Sequence, residues 1–280
     1  MKTRVISGTV LTALLIVWIY FSYVPYIMNT VVALLSAFAV YEVATAIGRK
    51  GCKLYMPFCV AYAIGYQFIP QTSVNWRFTL LFALAGIMFL IAIFGFSKEI
   101  GFENLCPLFC MTVVISLFFS TLTILRSDEA HGLSYMIMVF LTAWGGDTGA
   151  YMFGRLFGKH RLAPHVSPKK TVEGFIGGVM TSVLFSVIMG IIVRYGLGKE
   201  SVSFVLFVAM GLFGGIFAVI GDLAASVVKR NYDIKDYGKL IPGHGGIMDR
   251  FDSVMFTSAA FCCVKVVADG IAALAGSGTV

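Results

Sequence analysis

Between Gly221 and Ser253 the chain interleaves acids, cations and glycines more closely than a solvated charged loop usually does. The segment opens with Gly221-Asp222-Leu223-Ala224-Ala225-Ser226. It passes Lys229-Arg230, Lys235-Asp236 and Pro242-Gly243-His244-Gly245-Gly246, and closes with Asp249-Arg250-Phe251-Asp252-Ser253. On a helix, Asp222 and Ser226 stand one turn apart on one face. Their carboxylate and hydroxyl oxygens suit a hard cation such as Mg²⁺. Asp249 and Asp252, at i, i+3, again share a face. Gly243, Gly245 and Gly246 permit turns that aim several backbone N–H groups at one anion. Such a set serves metal-assisted phosphoryl or nucleotidyl transfer: the metal neutralises phosphate oxygens, and Lys or Arg stabilises charge on the leaving group. His244 has no HxxxH or HxxE company, so a zinc site is not indicated.

Two shorter segments add to this. Trp144-Gly145-Gly146-Asp147-Thr148-Gly149-Ala150-Tyr151 places an acid among small residues. It reads equally as a close helix-packing surface and as a backbone that lets a ligand approach Asp147. In Ser167-Pro168-Lys169-Lys170-Thr171-Val172-Glu173-Gly174, Ser167 reads as a helix N-cap with Pro168 at the first helical position. Lys169 and Lys170 would then stand near a positive helix end, where polyphosphate or lipid headgroups would both be attracted.

The elements that position these residues must be membrane helices. Of 280 residues, 59% are hydrophobic and 12% charged, a surplus that a soluble domain of this size cannot bury. Disorder is excluded by the same numbers, and six Cys are too sparse for a disulfide-stapled module. The cysteines form no CxxC pair and read as buried apolar thiols. Nine apolar runs approach the ~20 residues needed to cross a bilayer as a helix. They are Val5–Pro25, Tyr26–Ile47, Leu54–Ile69, Phe78–Phe96, Leu105–Leu125, Leu133–Phe153, Gly174–Val193, Phe204–Val228 and Val254–Leu274. The expected fold is all-α: a polytopic integral membrane protein of about nine transmembrane helices. The first run, although preceded by Lys2 and Arg4, is longer than a signal-peptide core and reads as a retained helix.

The formal net charge of +7 reflects basic residues between apolar runs, which suggests membrane topology and anionic ligands rather than nucleic acid. With the N-terminus inside, 16 of the 21 Lys and Arg fall on the cytoplasmic side and four (Arg77, Arg126, Arg194, Lys199) outside, with Lys265 inside the last span. The large loops Gly154–Glu173 and Lys229–Asp252 are then cytoplasmic and the C-terminus external. Residues 1–130 are expected to be scaffold helices and 131–280 to carry the site. Charges within the runs are functional candidates: Glu42, Asp147, Glu173, Asp222, Lys265 and Asp269. Lys265 and Asp269 can pair at i, i+4, whereas Glu42 fits a packing hydrogen bond and a site role equally well.

At these residues the sequence resembles the phosphatidate cytidylyltransferases, or CDP-diacylglycerol synthases. Their signature is Ser-x-x-Lys-Arg, four residues, Lys-Asp, then Pro-Gly-His-Gly-Gly, two residues and Asp-Arg-x-Asp. Ser226, Lys229, Arg230, Lys235, Asp236, Pro242, Gly243, His244, Gly245, Gly246, Asp249, Arg250 and Asp252 match it. The segments around Asp147 and Ser167 resemble two further family segments, while the first five runs carry no diagnostic motif. The resemblance implies that CTP and phosphatidic acid give CDP-diacylglycerol and pyrophosphate with Mg²⁺, at the cytoplasmic face of a bacterial-type inner membrane, in a homodimer. On this reading Asp222 and Asp249 hold one or two cations, with Ser226 and Asp147 as further ligands. Lys169, Lys170, Lys229 and Arg230 take the triphosphate, and Arg250 joins the catalytic set. Ser167, Lys235, Asp236, His244 and Asp252 join the substrate-binding set, and the Pro242–Gly246 turn supplies backbone donors. A transporter would also carry intramembrane charges, but would more often show duplicated broken helices. A CTP-using lipid kinase would share the chemistry but not the signature.

Overall fold

The computed structural model describes residues 2–47, 54–70, 72–94, 102–196 and 203–277. Five cations counted in the charge asymmetry, Arg49, Lys50, Lys53, Lys98 and Lys199, lie outside the described residues. Ten helices follow in chain order: α1 Lys2–Phe21, α2 Pro25–Ile47, α3 Met56–Phe68, α4 Val74–Phe94, α5 Phe102–Arg126, α6 Gly132–Phe140, α7 Gly146–Phe157, α8 Val172–Ile191, α9 Phe204–Asn231 and α10 Met248–Ser277. Among the described residues, six helical stretches are long and apolar enough to cross a membrane: Pro25–Ile47, Val74–Ile93, Asn104–Arg126, Val172–Gly196, Phe204–Asn231 and Met248–Leu274. The third run yields only the 13 residues of α3, about 20 Å of helix against about 30 Å of hydrocarbon. The sixth run is in two pieces. A π-helical turn, Leu141–Gly145, joins α6 to α7. Its extra residue rotates all that follows by roughly 100° about the axis, and Asp147 is the second residue of α7.

An all-α fold needs one correction. The loop between α7 and α8 contains an antiparallel hairpin, β1 Arg161–Ala163 with β2 Ser167–Thr171, in register Arg161↔Thr171 and Ala163↔Ser167. Ser167 opens a strand rather than capping a helix, because the backbone stays extended through Thr171 and α8 begins only at Val172. The cap of α8 is Thr171, whose hydroxyl accepts the Gly174 N–H at 3.1 Å. Lys169 and Lys170 therefore lie on the strand leading into the cap.

The chain divides into two compact units, Met1–Ile124 with Val228–Phe251, and Leu125–Val227 with Asp252–Val280. In the first unit, α2 buries Val32, Ala33, Val40 and Val43, and α3 buries Cys59, Tyr62, Ala63 and Tyr66. The Gln67 amide donates to the Ser116 carbonyl at 2.9 Å and ties α3 to α5. In the second unit, α7 and α8 pack through small residues. A Cβ at Gly178 would stand 2.9 Å from the Gly146 carbonyl and from Ala150 Cβ, and one at Gly149 would collide with Thr181. Close approach of this kind is what small residues permit between membrane helices. On α9, Gly211 and Gly215 likewise face Ser186 and Ser182 of α8, and Gly214 faces Phe261 of α10.

Candidate active site

Gly146 and Gly149 of α7 turn toward α8, and Asp147, Ala150, Tyr151, Gly154 and Arg155 line a cavity of about 340 Å³ in the second unit. Asp147, Tyr151 and Arg155 come from successive turns of α7. Leu162, Lys169 and Lys170 come from the hairpin, Phe175 from α8, and Val219 and Asp222 from α9. In the Asp147 segment, the glycines pack against α8 as one of its two readings expected, and Asp147 itself lines the cavity. Lys170 Nζ forms an ion pair with Asp222 Oδ2, with the two side chains 24% and 30% exposed. Lys169 is exposed. Ser226, one turn beyond Asp222, is buried.

The hairpin is anchored at its base. Glu173, in the first turn of α8, accepts the Lys159 and His160 N–H groups at 3.1 and 3.3 Å, and its Oε1 lies 2.6 Å from His160 Nδ1. A carboxylate at a helix N-terminus also meets the positive end of the helix dipole. Glu173, read from the sequence as a charge within an apolar run, thus organises the loop that carries Lys169 and Lys170.

The expected cation ligands Asp222 and Asp249 fall in different units. In the first unit, Asp249 Oδ1 accepts from Lys229 Nζ at 3.0 Å, and its Oδ2 accepts the Tyr237 and Gly246 N–H groups at 2.8 and 3.0 Å. The Asp249 side chain is only 4% exposed, and Lys229 Nζ lies 5.5 Å from the centre of the Tyr237 ring. Pro242 and Gly243 form the corner of a turn closed by the His244 N–H to the Ile241 carbonyl at 2.9 Å. Gly243 and Gly245 have φ of 79° and 91°, backbone that favours glycine.

Three of the turn's N–H groups, expected to face an outside anion, have partners within the protein. Those of His244 and Gly245 go to the Ile241 carbonyl and that of Gly246 to Asp249. The next two, from Ile247 and Met248, go to the buried carboxylate of Glu42 at 3.0 and 2.9 Å. Three successive N–H groups, of Gly246, Ile247 and Met248, thus serve carboxylates of the protein itself.

The remaining candidates are dispersed. His244 Nδ1 lies 2.8 Å from Ser7 Oγ, which also donates to the Pro242 carbonyl at 2.9 Å. Arg250 Nε donates to the His244 carbonyl at 2.8 Å. Arg230, Lys235 and Asp236 are exposed. Asp252 is buried and accepts the Ser253 N–H at 2.7 Å. Ser7 and Arg155 were not expected at a site, since neither stands in a distinctive local pattern, and in the Trp144–Tyr151 segment the acid drew attention rather than Tyr151. Glu42 had a signal, a carboxylate in an apolar run, but no indication of its partner. Lys265 pairs with Asp269 at 2.7 Å, as the spacing allowed, and also with Asp128 at 3.2 Å.

Among the described residues no three His, Cys, Asp or Glu side chains gather closely enough to hold a metal by themselves. The cavity nevertheless suits Mg²⁺, which is commonly bound by one or two carboxylates together with substrate phosphates and water. Asp147 and Asp222 are the two carboxylate residues among those that line it.

Comparison with known proteins agrees with this chemistry. Residues 2–267 match the model of the cytidylyltransferase family. A phosphatidate cytidylyltransferase of Staphylococcus haemolyticus is 39% identical over 199 residues, which cover 70% of this chain and 74% of the relative. One from Staphylococcus saprophyticus is 38% identical over 191 residues, 67% of this chain and 70% of the relative. One from Bacillus subtilis is 36% identical over 158 residues, 56% of this chain and 55% of the relative. With this match over nearly its whole length, the chain belongs to the cytidylyltransferase family.

Proposed function

We propose that this membrane enzyme transfers the cytidylyl group of CTP to phosphatidate, giving CDP-diacylglycerol and pyrophosphate. The observation that carries the reading is the cavity in which Lys169, Lys170 and Arg155 stand with Asp147 and Asp222. The cations suit the triphosphate, and Asp147 and Asp222 would hold Mg²⁺. When bound, the metal neutralises phosphate oxygens and eases attack at phosphorus.

A phosphate oxygen of phosphatidate attacks the α-phosphorus of CTP. The new P–O bond forms as the bond to the β-phosphate breaks, and pyrophosphate leaves with the electron pair. The nucleophile is already an anion, so no side chain need remove a proton from it. Lys169 and Lys170 stabilise negative charge on the departing pyrophosphate. The ion pair with Asp222 holds Lys170 at the cavity before substrate arrives. By family resemblance Lys229 and Arg230, at the end of α9, also take the triphosphate, and Asp249 pairs with the Lys229 ammonium.

The same proposal places the N-terminus and both large loops in the cytoplasm, so that CTP reaches the site from that side, and lets phosphatidate enter from the bilayer. It includes nine membrane passes and a homodimer. The topology is supported by the bias of Lys and Arg toward one side, and the dimer by family resemblance. The test is pyrophosphate release by the purified chain. Release from CTP should require phosphatidate, stop with a chelator and resume with Mg²⁺. Equal turnover of ATP would contradict cytidylyl transfer.

A further inference from the structure

We propose that Glu42 is a positioning residue for this reaction, holding the Gly-rich turn, and through it Asp249, from a helix 205 residues away. The proposal rests on the cytidylyl-transfer reading and adds a residue that lies outside the signature.

Glu42 sits near the end of α2, with only 4% of its surface exposed. A carboxylate this buried must be well partnered. Its partners are the Ile247 N–H on Oε1 at 3.0 Å and the Met248 N–H on Oε2 at 2.9 Å. These groups open α10, where the first N–H groups of a helix have no intrahelical acceptor. The preceding N–H, of Gly246, goes to Asp249 Oδ2 at 3.0 Å. Three consecutive N–H groups are thus divided between two carboxylates, one from α2 and one from α10.

Shape repeats what the hydrogen bonds show. A Cβ at Gly238 or at Gly246 would collide with the Glu42 carboxylate. Two glycines on either side of the turn therefore close around one side chain, and only glycine leaves room for it. Moving Glu42 moves the Gly246 amide, which is a partner of Asp249, and the other Asp249 oxygen holds Lys229 at 3.0 Å. The carboxylate reaches Lys229 through two links and need not touch substrate. Glutamine at position 42 keeps the volume, but it has one acceptor oxygen for two N–H groups and sets an NH₂ against the second.

The experiment measures pyrophosphate release by the full chain in mixed micelles with phosphatidate, at varied CTP, for the parent, Glu42→Gln, Asp249→Asn and the double variant. Glu42→Gln is expected to lower kcat at least about tenfold and to leave the KM for CTP within about twofold. Its thermal unfolding should still be cooperative. The double variant should be no slower than Asp249→Asn alone, because both act on one network. Gly238→Ala displaces the same carboxylate from the other side and should reproduce the kcat loss; it is the variant to read if Glu42→Gln does not fold. Parent-like kcat, a change confined to KM, or losses that multiply in the double variant would each overturn the proposal. An active parent beside an active Glu42→Gln overturns this proposal alone. An inactive parent overturns the functional reading and this proposal with it.

Discussion

Lys170, on the strand leading into α8, is paired with Asp222 on α9, and both side chains line the same cavity. The pairing brings a cation suited to phosphate and a carboxylate suited to a metal into one place before either ligand binds. Asp222→Asn keeps volume and hydrogen-bonding capacity but removes the charge and leaves Lys170 without its counterion. It is expected to lose at least about a hundredfold in turnover while still folding. Asp269→Asn, near the far end of α10, should keep most of its activity. Turnover by purified, monodisperse variants decides this, and an active Asp222→Asn would return that carboxylate to a packing role.

The α7–α8 contact gives a stability prediction. Ala at Gly178 would press a methyl against the Gly146 carbonyl and Ala150, both at 2.9 Å. Overpacking of this kind costs about 1–3 kcal/mol. Gly270, on α10, has nothing within 4 Å of its added Cβ, and Ala there should be neutral or stabilising. Thermal unfolding in detergent should separate the two, with Gly178→Ala melting lower.

Asp128 gives a pH prediction. Burial alone would raise the pKa of this loop carboxylate, but the His131 N–H and Lys265 outweigh it and hold the pKa below the ordinary value. A depressed folded-state pKa adds stability that is fully present above the unfolded value and is lost as pH falls through the folded one. Thermal stability should therefore fall on acidification below the ordinary Asp range of about 4. Asp128→Asn should lose the part of that fall which this carboxylate contributes. An identical pH profile in parent and variant would contradict the assignment.

The charged clusters and the glycine turn were legible in the sequence because they depend on residue type over short spans. Asp222 with Ser226, the Lys169-Lys170 pair and the Pro242–Gly246 turn are all local patterns. The apolar runs likewise marked where helices form, although α9 and α10 continue beyond them, to Asn231 and back to Met248. What escaped depends on distant partners or on phase. Glu42 gains meaning only from the amides of Ile247 and Met248. The π turn before Asp147 changes no residue type and so leaves no mark. The hairpin has strands of three and five residues, too short for alternation to show. Ser167 and Thr171 are both competent caps, and only the folded hairpin selects Thr171.

Topology can be checked independently of catalysis. With nine passes and a cytoplasmic N-terminus, a reporter fused after Val280 should be external. A cytoplasmic signal would mean an even number of passes, and the assignment of the loop cations to one side would have to be redrawn.

The central claim is that the α-phosphate of CTP, and not the γ-phosphate, is joined to the lipid. The purified enzyme should be given Mg²⁺, phosphatidate and CTP labelled with ³²P at either position, and the products partitioned between solvent and water. Cytidylyl transfer carries the α-label into the lipid phase and leaves the γ-label in aqueous pyrophosphate. The γ-label in the lipid, with the α-label left behind, would mean a kinase and would contradict the assignment.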